Sequence, residues 1–157
     1  MLALRRGPHQ RGDPTTRDAV PGPRDATAFA CRTLRTETQA AAHARAFTRA
    51  RLAAWELGDE VAEAAGLVVS ELVTNAVRHS GSHQATLRLA RCPSHLWIEV
   101  CDTGTWRAPA GTEDNGAAEG GRGFWLVEAL SERFGVHGTP AGTCVWALIR
   151  RGPSTGL

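Results

Sequence analysis

The stretch from Asp59 to about His79 constrains the fold more than any other. Val61, Ala65, Val68, Val69, Leu72, Val73 and Ala76 recur at helical spacing but cover more than one face. A helix apolar on more than one side must be deeply buried rather than laid on a surface. Asp59 stands where an N-cap belongs, with Glu60 and Glu63 in the favourable first turn, and Ser80-Gly81-Ser82 ends the run. Ahead of it, Thr38 to Leu57 holds no proline or glycine, and Ala42, Ala46, Phe47, Ala50 and Ala53–Ala54 mark a first helix that Gly58 closes. A chain of 157 residues, 42% of them apolar, suits one domain with one core.

Two strands are predicted next. Leu87 and Leu89 alternate with Thr86 and Arg88, and Ile98 and Val100 alternate with Trp97 and Glu99. The four residues Cys92-Pro93-Ser94-His95 suit a type I turn with proline second. That closure sets Leu87 opposite Val100, Leu89 opposite Ile98 and Arg88 opposite Glu99, so apolar pairs share one face and an ion pair lies on the other. Ala28 to Leu34 reads as an edge strand. Residues 103–123 are glycine-rich without periodicity, and a helix is expected from Phe124 to about Glu132. Two last strands, near Arg133–His137 and Thr143–Arg150, flank a turn at Gly138–Gly142. The final strand is apolar on both faces, as an interior strand should be. The expected fold is α+β: a two-layer α/β sandwich, an antiparallel-rich mixed sheet with helices on one face. Residues 1–26, with Pro8, Pro14, Pro21 and Pro23, read as a disordered arm, 27–151 as the domain and 152–157 as a flexible tail.

All 18 basic residues are arginine. The absence of lysine excludes a P-loop and a eukaryotic-type protein kinase, each of which needs a lysine on the phosphates. Residues 1–35 carry seven arginines against three acids, and the rest eleven against thirteen, so the folded part is mildly acidic and no nucleic-acid surface is expected. No apolar run is long enough to span a bilayer, and none follows the N-terminal arginines as in a secretory signal; the cytoplasm is the expected compartment. Cys31, Cys92, Cys101 and Cys144 show no CxxC spacing and are expected to be buried free thiols. A zinc site from His79, His83, Cys92 and His95 fits no familiar ligand spacing.

Three segments carry chemistry. On the buried helix, Glu71, Asn75 and Arg78–His79 lie at i, i+4 and i+7/i+8, a polar stripe on an apolar rod. Burying a carboxylate and an amide is costly without partners, which a metal–phosphate ligand would supply; alternatively, the stripe is simply where the helix reaches the surface. Val100-Cys-Asp102-Thr103-Gly104 ends an apolar strand in a carboxylate and a glycine. The aspartate suits an adenine amino group, and the glycine the close approach of a flat ring; an ordinary turn has the same composition. Gly120-Gly121-Arg122-Gly123 opens a helix, where backbone N–H groups and a forked guanidinium can meet an anion, although flexible loops look similar.

The order and spacing of the three resemble the N box and the two glycine boxes of the gyrase/chaperone/histidine-kinase/MutL superfamily, whose ATP-binding fold is the Bergerat type. Gly142-Thr143 is similar to its fourth element. Glu-Leu-Val-Thr-Asn-Ala-Val-Arg-His together with Gly-Arg-Gly-Phe-Trp-Leu-Val resembles the anti-sigma-factor serine kinases, over about residues 36–150. The resemblance implies ATP and Mg²⁺ as ligands. It makes Asn75 the metal ligand and Glu71 the catalytic base. Asp102, Gly104 and Thr143 become the adenine contacts, and Gly121, Arg122 and Gly123 the phosphate lid. It further implies a serine/threonine kinase that phosphorylates an anti-anti-sigma protein and sequesters a sigma factor, with a possible homodimer. A non-catalytic, nucleotide-dependent protein-binding module is the alternative. Trp106 stands where a second glycine is common, which bears on the hinge of the lid, and Phe124 stands where leucine is common. His79 is not expected to accept phosphate.

Overall fold

The computed structural model describes residues 23–104 and 121–152, with side chains in the third helix from Phe124 onward. The elements run β1 (Ala28–Arg35), α1 (Ala40–Ala54), α2 (Asp59–His79), β2 (Gln84–Arg91), β3 (His95–Asp102), α3 (Gly121–Leu130), β4 (Arg133–Thr139) and β5 (Gly142–Arg150). The five strands form one sheet in the order β1-β2-β3-β5-β4. All four pairings are antiparallel. The helices share one face: residues of α1, α2 and α3 enter a single core with Leu87, Leu89, Ile98, Val100, Val145 and Ala147. This is the α+β sandwich the sequence predicts. Residues 1–22 of the expected arm (1–26), most of the long loop (105–120, including Trp106), the surroundings of Gly121, Arg122 and Gly123, and the last five residues lie outside the described residues.

The β2–β3 register is the predicted one, with Leu87 opposite Val100, Leu89 opposite Ile98 and Arg88 opposite Glu99. Arg88 Nη1 sits 3.0 Å from Glu99 Oε1 on the outer face. Alternation explains the rest of that face. Trp97 and Trp146, diagonal neighbours across β3 and β5, stack at 5.0 Å between centroids. Gly135 lies opposite Trp146, and a Cβ there would come within 2.8 Å of the indole. The glycine lets the ring lie across β4.

The first helix ends earlier than Gly58 suggests. Glu56 adopts a left-handed φ of 57°. The Leu57 amide donates to the Leu52 carbonyl, and the Glu56 amide to that of Ala53, a Schellman closure without glycine. Burying Leu57 is what the turn achieves. Gly58, extended at φ −61° and ψ 161°, is instead the N-cap of α2, and Asp59 is its first helical residue, not the cap.

The cysteine expectation is overturned. Cys101 and Cys144 are disulfide-bonded, and of the other two Cys31 is exposed and Cys92 half-buried. The reason is register: β5 inserts between β3 and β4, so Cys101 and Cys144 stand directly opposite on the outer face. The four proposed zinc ligands do not converge among the described residues. His83 precedes β2 and Cys92 follows it, and a strand of that length separates its ends by more than about 20 Å. No described helix is long and apolar enough to cross a membrane.

Candidate functional site

The end of β3, the start of β5 and the C-terminal half of α2 meet at one edge of the core. Asp102 shares the inward parity of Ile98 and Val100 and is itself buried. Its cross-strand partner is Thr143, buried alike. α2 packs across this face, touching β2, β3 and β5 as well as α3. Asn75 and Glu71 are both half-buried on α2, one turn and about 6 Å apart along the axis. Arg78 and His79, the far end of the stripe, are exposed. The stripe therefore does reach the surface, but only past Asn75.

Two contacts fix the strand end against the helix end. A Cβ on Gly104 would fall onto the carbonyl oxygen of Ser80, the C-cap of α2, and one on Gly142 would fall onto the carbonyl of Asp102. Gly142 also holds φ at 152°, where side chains are disfavoured. Hydrogen bonds complete the seam. Ser82 Oγ lies 2.8 Å from Thr103 Oγ1, and Thr143 Oγ1 donates to the Gly104 carbonyl at 3.2 Å. Ser80, Ser82 and Thr103 were given no role from the sequence; the Ser-Gly-Ser run after α2 reads equally as a plain stop, and Thr103 was only the middle residue of the Asp102–Gly104 turn.

The electrostatics are uneven. Burial pushes the Asp102 carboxyl above its ordinary value, opposed by the Gly104 amide, which donates to Asp102 Oδ1 at 2.8 Å. A second acceptor oxygen remains on that carboxylate for a ligand donor. Asn75 is the odd member: its Nδ2 is buried with no hydrogen-bond partner among the described residues. An unpaired buried amide costs about 1–3 kcal/mol and calls for an explanation. A ligand approaching this end of α2 supplies one. With its amide reversed, the same side chain offers an oxygen of the kind hard cations take. The donor set thus fits a nucleotide with its cation: a carboxylate for a purine amino group, a carboxamide for the ion, and a carboxylate one turn away.

A shallow cavity of about 360 Å³ lies against this seam, walled by Thr103, Gly104, Thr143 and the β4–β5 turn. It adjoins Asp102 but is not lined by Asn75, so it covers only the strand side of the site. Gly121 and Gly123 open α3, which packs on α2.

Residues 34–149 match the family described as the histidine kinase-like ATPase domain. Among solved structures, the chain resembles the RsbU and RsbW domains of Rv1364c from Mycobacterium tuberculosis, with a TM-score of 0.63 at 20% identity. That match covers 83% of this chain but 35% of the other, so this chain spans about a third of that protein. The histidine kinase domain of a blue-light activated histidine kinase from Erythrobacter litoralis EL346 aligns at 30% identity and a TM-score of 0.45, over 57% of this chain and 44% of that one. No curated protein matches the chain. By its fold and by the match over residues 34–149, the chain belongs to the histidine kinase-like ATPase domain family, for which ATP is the implied ligand.

Proposed function

We propose that this chain is a cytoplasmic regulatory protein that binds Mg-ATP at the seam of α2, β3 and β5 and phosphorylates a serine or threonine of a partner protein. The observation that carries the reading is the buried Nδ2 of Asn75, unpartnered among the described residues, on the helix that packs on β3 and β5, whose end and start carry Asp102 and Thr143. Bound Mg-ATP supplies the transferable phosphoryl group and the charge that steadies it. Asn75 holds the ion through its amide oxygen, and Asp102 accepts from the adenine amino group. Gly104 keeps the backbone low beside the ring, while Thr143 fixes Gly104 through its hydroxyl. Gly121, Arg122 and Gly123 close on the phosphates at the start of α3. Glu71, one turn before Asn75, takes the proton from the attacking hydroxyl as its oxygen forms the new bond to phosphorus and the bond to the leaving ADP oxygen breaks. The likeness to a protein with an RsbW domain suggests an anti-anti-sigma protein as the phosphoacceptor and a sigma factor as the sequestered partner.

Labelled ATP and a serine-bearing anti-anti-sigma substrate test this directly. Glu71→Ala is expected to keep Mg-ATP binding and lose transfer by about a hundredfold or more, in the range of general-base effects. Asn75→Ala is expected to weaken Mg-ATP binding itself. Equal affinity and equal transfer in the wild type and both variants would defeat the assignment. Trp106, where the superfamily commonly has glycine, favours a second reading in which nucleotide switches protein binding without turnover. Nucleotide-dependent capture of the partner without phosphoserine is the result that selects it.

A further inference from the structure

The Cys101–Cys144 bond is not used by the nucleotide chemistry, yet each cysteine adjoins a site residue: Asp102 follows Cys101 and Thr143 precedes Cys144. We propose that these two cysteines are a reversible dithiol–disulfide pair, closed by hydroperoxides, which tightens the nucleotide site when oxidised. The inference rests on the Mg-ATP reading above and adds a redox input to that site.

The surroundings suit a reactive pair better than an inert staple. The bond lies on the outer face, apart from the apolar core, in a row of polar groups. Arg88 Nη1 stands 4.0 Å from Cys101 Sγ, and Glu99 Oε1 3.4 Å from it. The guanidinium favours the thiolate, the nucleophilic form, and offsets the opposing charge of the nearer Glu99 carboxylate, with which it pairs at 3.0 Å. Cys101 is half-buried and Cys144 buried, which makes Cys101 the attacking sulfur and Cys144 the resolving one. Across the ladder from Cys144, His137 has a buried Nδ1 without a partner. Glu99 is thus an acceptor within reach of the Cys101 S–H that exists only in the reduced state, and His137 is the ladder neighbour of Cys144. Cys101 attacks the hydroperoxide oxygen, giving a sulfenic acid and an alcohol, the thiol proton leaving with the alcohol. Cys144 then attacks the sulfenic sulfur; the S–S bond forms, and hydroxide leaves as water with the second thiol proton. Two thiols are oxidised and one hydroperoxide is reduced. A dithiol reductant reverses the step by exchange.

The coupling is geometric. The bond holds the Cα atoms of Cys101 and Cys144, cross-strand partners on β3 and β5, 4.1 Å apart. One residue on, the backbones of Asp102 and Gly142 are already so close that no Cβ fits between them, and Gly104 is wedged under Ser80. Asp102 lies one residue from the link and in this close-packed seam, so in this proposal release of the strands at Cys101 and Cys144 is passed on to its position against α2. The closed state holds the ligand groups in place beforehand, which favours binding.

The test uses the full chain. Reduced protein is treated with equimolar tert-butyl hydroperoxide, remaining thiols are mass-tagged, and the Kd for Mg-ATP is measured by calorimetry in both states. Tags are expected to disappear from Cys101 and Cys144 and to stay on Cys31 and Cys92, with dithiothreitol restoring them. The oxidised form should bind Mg-ATP at least about fivefold more tightly, the lower end of ordinary coupling between sites. A Cys101→Ser/Cys144→Ser variant should bind like the reduced form and ignore peroxide; the two-state comparison on wild type stands even if that variant folds poorly. Retention of both tags on Cys101 and Cys144 overturns the pair. Closure of the bond with affinities within about twofold overturns the coupling alone. No Mg-ATP binding in either state removes the nucleotide reading and the coupling together.

Discussion

Replacing Asn75 by leucine separates the stability of this fold from its function. Nδ2 of Asn75 is buried and unpartnered, and leaving such a group unsatisfied costs about 1–3 kcal/mol. Leucine keeps the branching and heavy-atom count of asparagine, and at a half-buried position its bulkier methyls have room to one side, so it replaces the amide without a polar atom. Because Asn75 is only half-buried, part of that cost is recovered, about 1 kcal/mol, which for a domain of this size raises Tm by about 3–5 °C. Without nucleotide, Asn75→Leu is therefore expected to melt later than wild type. With Mg-ATP at a hundred times the wild-type Kd, wild type gains about 2.7 kcal/mol by mass action and the variant gains little, so the order reverses. Differential scanning calorimetry with and without Mg-ATP reads both terms in one experiment. A variant that melts earlier than wild type without nucleotide would show that the amide is satisfied in the folded protein. A variant that keeps the full nucleotide-induced gain would show that Asn75 holds no ligand. Either result refutes the reasoning.

Two further perturbations probe the frame and the seam. Glu132 is bridged by Arg150 at 2.9 and 3.2 Å and by His95 at 2.8 Å, and these bonds, Arg150's first, hold its carboxyl down at about 2. A depressed carboxyl stabilises fully above its unfolded value and loses that contribution as pH falls towards the folded one. Glu132→Gln should therefore cost about 0.5–1 kcal/mol at pH 7, a surface-screened value, and almost nothing near pH 2 in urea titrations; a pH-independent difference would contradict the assignment. Gly104→Ala drives a Cβ into the Ser80 carbonyl, so it should lose about 1–3 kcal/mol and weaken Mg-ATP binding. Gly138→Ala, with nothing within 4 Å of its Cβ, serves as the unaffected control in the same thermal melts.

How much of this was legible depended on distance along the chain. The β2–β3 hairpin was readable to the residue because its turn and its alternation are local, and Arg88 opposite Glu99 confirmed both at once. The span of α2 was readable because an apolar surface on several sides admits few alternatives. The end of α1 was not: the expectation followed glycine, whereas the fold turned at Glu56 to bury Leu57, a tertiary gain that a local signal does not carry. The Cys101–Cys144 pairing was equally hidden, since nothing in sequence order says that β5 lies between β3 and β4, 43 residues after Cys101. At the site, residue types were legible and partners were not. The sequence predicts that Asn75 is buried on a helix, but only the packing shows that its amide finds nothing to bond.

The two faces of the sheet divide the work, and register is the link. Sliding β3 by one residue against β5 would turn Asp102 to the outer face and bring Cys101 inward, because side chains alternate with a period of two. The inner face alone defends weakly against that slip, being built of interchangeable Leu, Val and Ile pairs. On the outer face each neighbour is specific: Glu99 meets Arg88, Trp97 stacks on Trp146, Gly135 yields to that indole, and Cys101 bonds Cys144. The Trp97–Trp146 stack and the Cys101–Cys144 bond bridge β3 and β5 and do not survive that shift, while the other two contacts hold β2 and β4 to the same register from either side. The position of Asp102 beside Thr143 on the core side is therefore determined by contacts on the opposite side of the sheet. A substitution such as Gly135→Val, remote from every ligand-facing residue, should disturb the site through the strand it displaces and not through any lost contact within it.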